Sequence, residues 1–419
     1  MARPFLSVKR FFVFMIMLAF GSSSESKGQG LPDPPAQETT FEFVVGDAGG
    51  VTPRKGTAWK VQYARGLHKG LYITGAWFKR DLSEEWIKVL HDARVADLFV
   101  PYHHSSFIRF FDLTGFSFPL AEVKTEDAGP NGVIMPPFQG DPHPTVVREI
   151  RDRGVVWKDY SNGVRRGREM IIWAGLEAGN YMYLMQYGFH DDGTIAFRIG
   201  ATGQNLPGSR KEAHMHNTHW RIDIDLVNGN KNNAMMMTHS EDKGGLSAND
   251  TEEPFNSGLE GGIEWDPKKF TMLRVQSEKL NANGKKIAYD LMPMRQGSAR
   301  HKEPFTHFDL WVTKSHPERP LEMLFANLPA IIRDREVVEG TDVVLWYTSS
   351  SHHEPRDEDG KGNNRRRMWY FDDGWEGSAL VMWSGFDLRP RNLFDRTPFY
   401  PYAPQPATQP SPPQPSNNP

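Results

Sequence analysis

Period-two alternation dominates residues 55–400. WKVQYARG, GLYITGAWF, EMIIWAGL, YLMQYGF, TIAFRIGATG, RIDIDLV, FTMLRVQ, DLWVTK, DVVLWYT and ALVMWSGF all carry apolar side chains at the spacing of an extended, half-buried backbone. Turn dipeptides such as Asp192-Gly193, Asn228-Gly229 and Asn283-Gly284 separate several of these segments and suit tight hairpins. Only residues 82–97 offer a helical period, and their VLHDARV centre reads equally well as a strand. A chain patterned in this way is expected to be all-β, and the number of segments predicts one large antiparallel β-sandwich.

The two ends read differently. Arg3, Lys9 and Arg10 precede an apolar run from Phe11 to Phe20, and small residues follow it. That order is the one a secretory signal requires, so residues 1–30 are read as a signal peptide and the protein is expected to be secreted or periplasmic. The run is too short to span a bilayer, and no other approaches that length, so no membrane partner is expected once the signal is removed. Residues 31–54, rich in Gly, Pro and small polar side chains, read as a linker. Residues 401–419 read as a proline-rich, disordered tail. Residues 55–400 remain as a single catalytic-sized domain.

Charge and cysteine content narrow the chemistry. A net charge of −3 supplies no electrostatic footprint for nucleic acid. With no cysteine, disulfides, thiolate metal sites and thiol nucleophiles are all excluded, and any metal must sit on histidine and oxygen ligands. In HMHNTHWRIDIDL, strand alternation would place His214 and His216 on one face, with Cα atoms about 7 Å apart, a spacing at which two imidazoles reach one metal. The same alternation sends His219, Asp223 and Asp225 to the other face. A third ligand would come from DVVLWYTSSSHHEPRDED, where spacing alone leaves His352 and His353 as alternatives.

Taken together in chain order, these segments resemble the catalytic domain of the copper amine oxidases. Asn180-Tyr181 is similar to the family's Asn-Tyr-Asp/Glu motif, whose tyrosine becomes topaquinone. His214-Met-His216 runs into Arg221 and Asp223 at the family's offsets. Trp346-Tyr-Thr348 is followed by His353-Glu-Pro355 and Glu358-Asp359. GVVWKDY, HFDLWVT and GFDLRPRNLFDRTP look like further family segments.

The resemblance implies Cu(II) on His214, His216 and His353, and a topaquinone derived from Tyr181 beside Asn180. It also implies Asp112 of FFDLTGF as proton acceptor and Tyr102 as hydrogen-bond partner of the quinone. A Ca²⁺- or Mn²⁺-type cation would sit on Asp223, Asp225 and Asp342 with the carbonyls of Ile224 and Val343. The implied substrates are a small primary amine and O₂. The amine condenses with the quinone as a Schiff base, and aldehyde, ammonia and hydrogen peroxide leave. The implied assembly is a homodimer. Tyr183 and Tyr187 read as ordinary sheet residues. The sequence departs from the family at Met182, where an acid is usual, at Glu177, and in FDLTGFSF, which lacks the usual Glu-Tyr-Gly. These departures keep a second class open: a catalytically silent copper-binding sandwich in which Tyr181 stays a tyrosine.

Overall fold

Alternation becomes two ten-stranded sheets whose pairings are all antiparallel. The structure is a computed structural model. It describes residues 33–45, 55–102, 109–116, 118–158, 164–179, 181–203, 212–242, 244–245, 247–266, 268–294, 301–316, 327–355 and 381–395. The first sheet contains β1 (Gln37–Val45), β2 (Lys55–Gly66), β3 (Gly70–Lys79), β5 (Asp92–Pro101), β12 (His214–Asp223), β19 (Val343–His353), β18 (Leu310–Lys314) and β15 (Gly261–Ile263), in that spatial order. Short β4 (Ile87–Leu90) pairs with β3, and β6 (Arg109–Phe111) pairs with β5.

The second sheet runs β14 (Ala248–Pro254), β13 (Asn232–Glu241), β16 (Phe270–Leu280), β17 (Lys286–Pro293), β20 (Met382–Arg391), β11 (Ile195–Gly203), β10 (Tyr181–His190), β9 (Val164–Ala178), β8 (Val147–Lys158) and β7 (Gly132–Ile134). The antiparallel β-sandwich read from the sequence is therefore the observed fold. Residues 82–97 hold no helix: a turn leads into β4 and then the start of β5, and β5 is buried at every position, which explains why its apolar pattern is too continuous to show a period.

One boundary needs correction. Part of the segment expected to be a linker, residues 31–54, is the edge strand β1, paired with β2 from Gln37↔Tyr63 to Val45↔Lys55. QETTFEFVV alternates, so Thr39 and Phe43 turn inward and are buried. The Gly- and Pro-rich flanks masked that local pattern. Among the described residues, no helix is long and apolar enough to cross a membrane.

The facing sides of the two sheets form one apolar core. At its centre Trp220 of β12 is fully buried. Its ring lies 5.8 Å from Phe197 and 5.6 Å from Phe386 in the opposite sheet, and its Nε1 donates to Ser349 Oγ at 3.0 Å. Partnering the indole N–H removes the penalty of burying it. Truncating Trp220→Ala opens a cavity between the sheets and leaves the Ser349 hydroxyl with Ser384 Oγ, at 3.2 Å, as its remaining partner. A loss of about 3–5 kcal/mol is expected, read as a lower denaturant midpoint at unchanged slope.

Candidate active site

The pairing of β12 with β19 sets His214 opposite His353 and His216 opposite Ser351. Side chains alternate on both strands. His214 and His216 point inward, on the same face as Trp220 and Ile222, and His353 is buried while His352 is exposed. Burial on an alternating strand thus separates the two adjacent histidines that spacing alone left open. From the second sheet, β10 presents Tyr181 and Tyr183 to the same space. Ring nitrogens of His214, His216 and His353 all lie within 4.8 Å of one another.

Protonation can be deduced for the first of these rings. His214 Nδ1 lies 3.1 Å from the Glu212 carbonyl, which can only accept, so Nδ1 carries a proton and, in the neutral ring, Nε2 is bare. That bare nitrogen is 3.1 Å from the Tyr181 hydroxyl, and His353 Nδ1 is 2.6 Å from the same oxygen. His216 Nε2 is buried with no hydrogen-bond partner among the described residues. Burial, reinforced by repulsion from His214 and His353, pushes His216 well below the usual imidazole range. A cluster of convergent imidazole nitrogens, one of them orphaned, fits a metal that takes nitrogen ligands. The outward N–H of His214 held by a carbonyl is the support such ligands need.

Asp112 and Tyr102 close the space from the β5–β6 side. The Asp112 amide donates to the Leu98 carbonyl at 2.9 Å. The neighbouring Leu113 and Thr114 amides donate to the buried Asp97 carboxylate at 3.1 and 3.3 Å, and the Thr114 hydroxyl also bonds it. Asp97, which sequence reading did not single out, therefore anchors the FDLTG turn. Burial pushes Asp112 up to about 7; a hydrogen bond from Tyr183 opposes this and the Asp97 charge adds to it. Tyr102 stacks on the His214 ring, with centroids 4.2 Å apart and planes at 20°. Asn180, Glu358 and Asp359 lie outside the described residues.

The expectation that Tyr183 is an ordinary sheet aromatic is not met. Its hydroxyl donates to Asp112 Oδ2 at 2.8 Å and lies 2.8 Å from His216 Nδ1. The available signal was its position two residues after Tyr181, which on a strand means the same face. Tyr187 keeps the structural role expected of it, donating to the Leu71 carbonyl at 2.8 Å.

The opposite face of β12 carries the acidic group. Asp223, Asp225 and Asp342 bring carboxylate oxygens within 4.8 Å of one another. Arg221 holds Asp223 Oδ2 at 2.9 Å, and Lys88, absent from the sequence reading, reaches Asp225 Oδ2 at 2.8 Å. Asp223 Oδ1 and Asp342 Oδ1 are both buried with no hydrogen-bond partner among the described residues. Burial pushes Asp223 up to about 6, against the pull of Arg221. The Ile224 carbonyl accepts from Asn232 Nδ2 at 2.8 Å, which takes one of its two lone pairs, and Val343 opens β19 beside Asp342. His219 lies on this face too, bonded to the Thr348 hydroxyl at 2.9 Å and pushed down to about 3 by burial. A further cluster, Glu260, His316 and Glu336, pairs internally and with backbone amides.

Residues 149–409 match the family model of the copper amine oxidase enzyme domain, which is more than half of the chain. The chain belongs to the copper amine oxidase family. Similar curated proteins include the peroxisomal copper-containing amine oxidase alpha 2 of Arabidopsis thaliana, 22% identical over 81% of this chain and 58% of its own length. Another is the histamine oxidase of Arthrobacter globiformis, 24% identical over 74% of this chain and 51% of its own. The chain thus spans somewhat more than half the length of these two relatives. In fold it is similar to a copper-containing benzylamine oxidase from Hansenula polymorpha, with TM-score 0.64 and 19% identity over 83% of this chain and 60% of that one.

Metal binding by the two clusters can be examined separately through elemental analysis of purified protein reconstituted with copper and calcium. His216→Ala should lose most of its copper and keep any hard cation. Asp342→Ala should do the reverse. Full copper in the first variant would remove the three-histidine site.

Proposed function

We propose that this chain is a copper- and topaquinone-dependent primary-amine oxidase. The balanced reaction is RCH₂NH₂ + O₂ + H₂O → RCHO + NH₃ + H₂O₂. The observation that carries this reading is the buried Tyr181 hydroxyl, 3.1 and 2.6 Å from two of three convergent imidazoles. His214, His216 and His353 would hold the copper, and Tyr181 would be the quinone precursor. The modified tyrosine would supply an electrophilic carbonyl and a two-electron sink, which no unmodified side chain offers.

The remaining residues bind, orient and move protons. Tyr102 packs flat against His214 and fixes that ring from the side away from β19. Asp112 would take the proton from the carbon next to the amine nitrogen. Its Oδ2 already accepts from Tyr183, so its other oxygen is the one left to receive a proton. Burial favours the neutral acid and so makes the carboxylate a stronger base than an exposed aspartate. The oxygens of Asp223, Asp225 and Asp342 suit a Ca²⁺ or Mn²⁺ ion, and the two orphaned carboxylate oxygens support that assignment.

Aerobic copper reconstitution of the apo-protein should yield a redox-cycling quinone that maps to the peptide containing Tyr181, and Tyr181→Phe should yield none. A wild-type protein that loads copper and leaves Tyr181 unmodified would instead be the silent copper-binding sandwich. Asp112→Asn should still form the quinone while amine turnover falls by roughly 10²–10⁴-fold, the usual contribution of a general base. Full turnover in that variant would show the base to be elsewhere.

The pH dependence follows from the Asp112 carboxyl lying near 7. The base acts only when ionised. kcat/KM, corrected for the amine's own protonation, should therefore rise as pH increases through about 7 and level off above it. A rising limb near pH 4 would mean that the titrating group is not this buried carboxyl.

A further inference from the structure

Between the proposed base and the proposed copper ligands lies one hydroxyl that touches both. Tyr183 is fully buried, and its oxygen is 2.8 Å from Asp112 Oδ2 and 2.8 Å from His216 Nδ1. A tyrosine has one proton to give, and a carboxylate oxygen can only accept it. The Tyr183 proton is therefore committed to Asp112, and the contact with His216 must be made by a proton on Nδ1. That leaves His216 Nε2 bare, and Nε2 is the nitrogen found buried with no partner among the described residues.

From this geometry, and resting on the copper reading above, we infer that Tyr183 is a positioning residue. It holds His216 in the Nδ1–H form with Nε2 directed at the metal centre, and Asp112 sets the direction of that hold. The chain Nδ1–H···Oη–H···Oδ2 does for His216 what the Glu212 carbonyl does for His214. It differs in one respect: its far end is the proposed base. Ligand orientation and base orientation are then one hydrogen-bonded unit, and a change at Asp112 reaches the metal without touching it. A proton arriving at Asp112 goes to the oxygen that Tyr183 leaves open, so the direction of the chain survives protonation of the base.

The test is copper affinity by chelator competition in wild type, Tyr183→Phe, Asp112→Ala, Asp112→Asn and the Tyr183→Phe/Asp112→Ala double variant. Tyr183→Phe removes the acceptor for Nδ1–H and should weaken copper binding roughly 10–100-fold, the usual effect of losing a partner that orients a ligand. Asp112→Ala should weaken it similarly, because Tyr183 is then free to donate to Nδ1 and favours the wrong tautomer. Asp112→Asn, whose amide oxygen still accepts from Tyr183, should stay near wild type. The double variant should be no weaker than the poorer single, as expected of residues acting as one unit. Nitrogen-15 imidazole spectra of the apo-proteins should show His216 protonated at Nδ1 in wild type and as a tautomer mixture in Tyr183→Phe.

Unchanged copper affinity in Tyr183→Phe would overturn the inference. So would a loss in Tyr183→Phe with none in Asp112→Ala, which would show that Asp112 does not set the direction of the hold. Should Tyr183→Phe fail to fold, the contrast between Asp112→Ala and Asp112→Asn decides the matter alone. A wild type that binds copper without forming quinone would defeat the oxidase reading and leave these affinity differences to judge Tyr183 separately.

Discussion

The pairing of β12 with β19 is the constraint on which the rest depends. Its register places His214 directly across from His353 and also sends Trp220 into the core. These are consequences of one alignment, because side chains on a strand alternate strictly. Slipping β19 by one residue would offer the exposed His352 in place of His353. Turning β12 over would expel Trp220 and Ile222 from the core and bring Arg221 and Asp223 inside. Core packing therefore enforces the geometry of the histidine site. The ligand set needs no separate local device to choose its face.

Burial then dictates the chemistry that the face can hold. Three imidazoles, three phenols and a carboxylate occupy one buried space, where every unpaired charge is costly. Desolvation favours the neutral form of His216 and so leaves its lone pair available, and it raises Asp112 toward 7. The opposite face of β12 solves a different problem. There Asp223 and Asp225 are countered by Arg221 and Lys88, and two carboxylate oxygens remain unpartnered. A single strand thus carries a nitrogen-rich pocket on one face near its start and an oxygen-rich, acidic one on the other face at its end, with Asp223 roughly 23 Å along the strand from His216.

Much of this was legible in the sequence because it follows from period two. Alternation gave the strands, put His214 and His216 together, and sent His219 and Asp223 to the other side. The features that escaped depend on contacts between distant segments. Tyr183 looked ordinary because nothing in YMYLMQY says that Asp112, 71 residues earlier, would meet its hydroxyl. Lys88 lies 137 residues from Asp225 and carries no local signature of an ion-pair partner. The choice of His353 over His352 rested on resemblance until burial on β19 supplied a physical reason. Strand β1 was missed for a different cause: nine alternating residues were outweighed by the loop-like composition around them.

The departure at Met182 can be weighed by the same alternation. Tyr181 and Tyr183 face the core, so Met182 faces away from it, on the far side of β10. There it pairs across the ladder with Glu177 of β9, and its Sδ lies close enough to Gly175 that a Cβ at that glycine would meet it at 3.0 Å, with Ala121 Cβ at 3.5 Å. Gly175 and Met182 are therefore fitted to each other: the absent side chain leaves the space that the long thioether fills. Exchanging an acid for methionine at this position alters the outer surface of the second sheet and the packing of β9 on β10. It adds or removes no polar atom in the pocket of Tyr181. Any influence on that tyrosine must pass through the backbone of β10, which is held on both sides, by β9 and by β11. Of the two departures nearest the chemistry, the altered turn after Asp112 is thus the more consequential: it follows directly on Asp112, whose carboxyl is raised by burial, and the Leu113 and Thr114 amides in it hold the carboxylate of Asp97, whose charge adds to that rise.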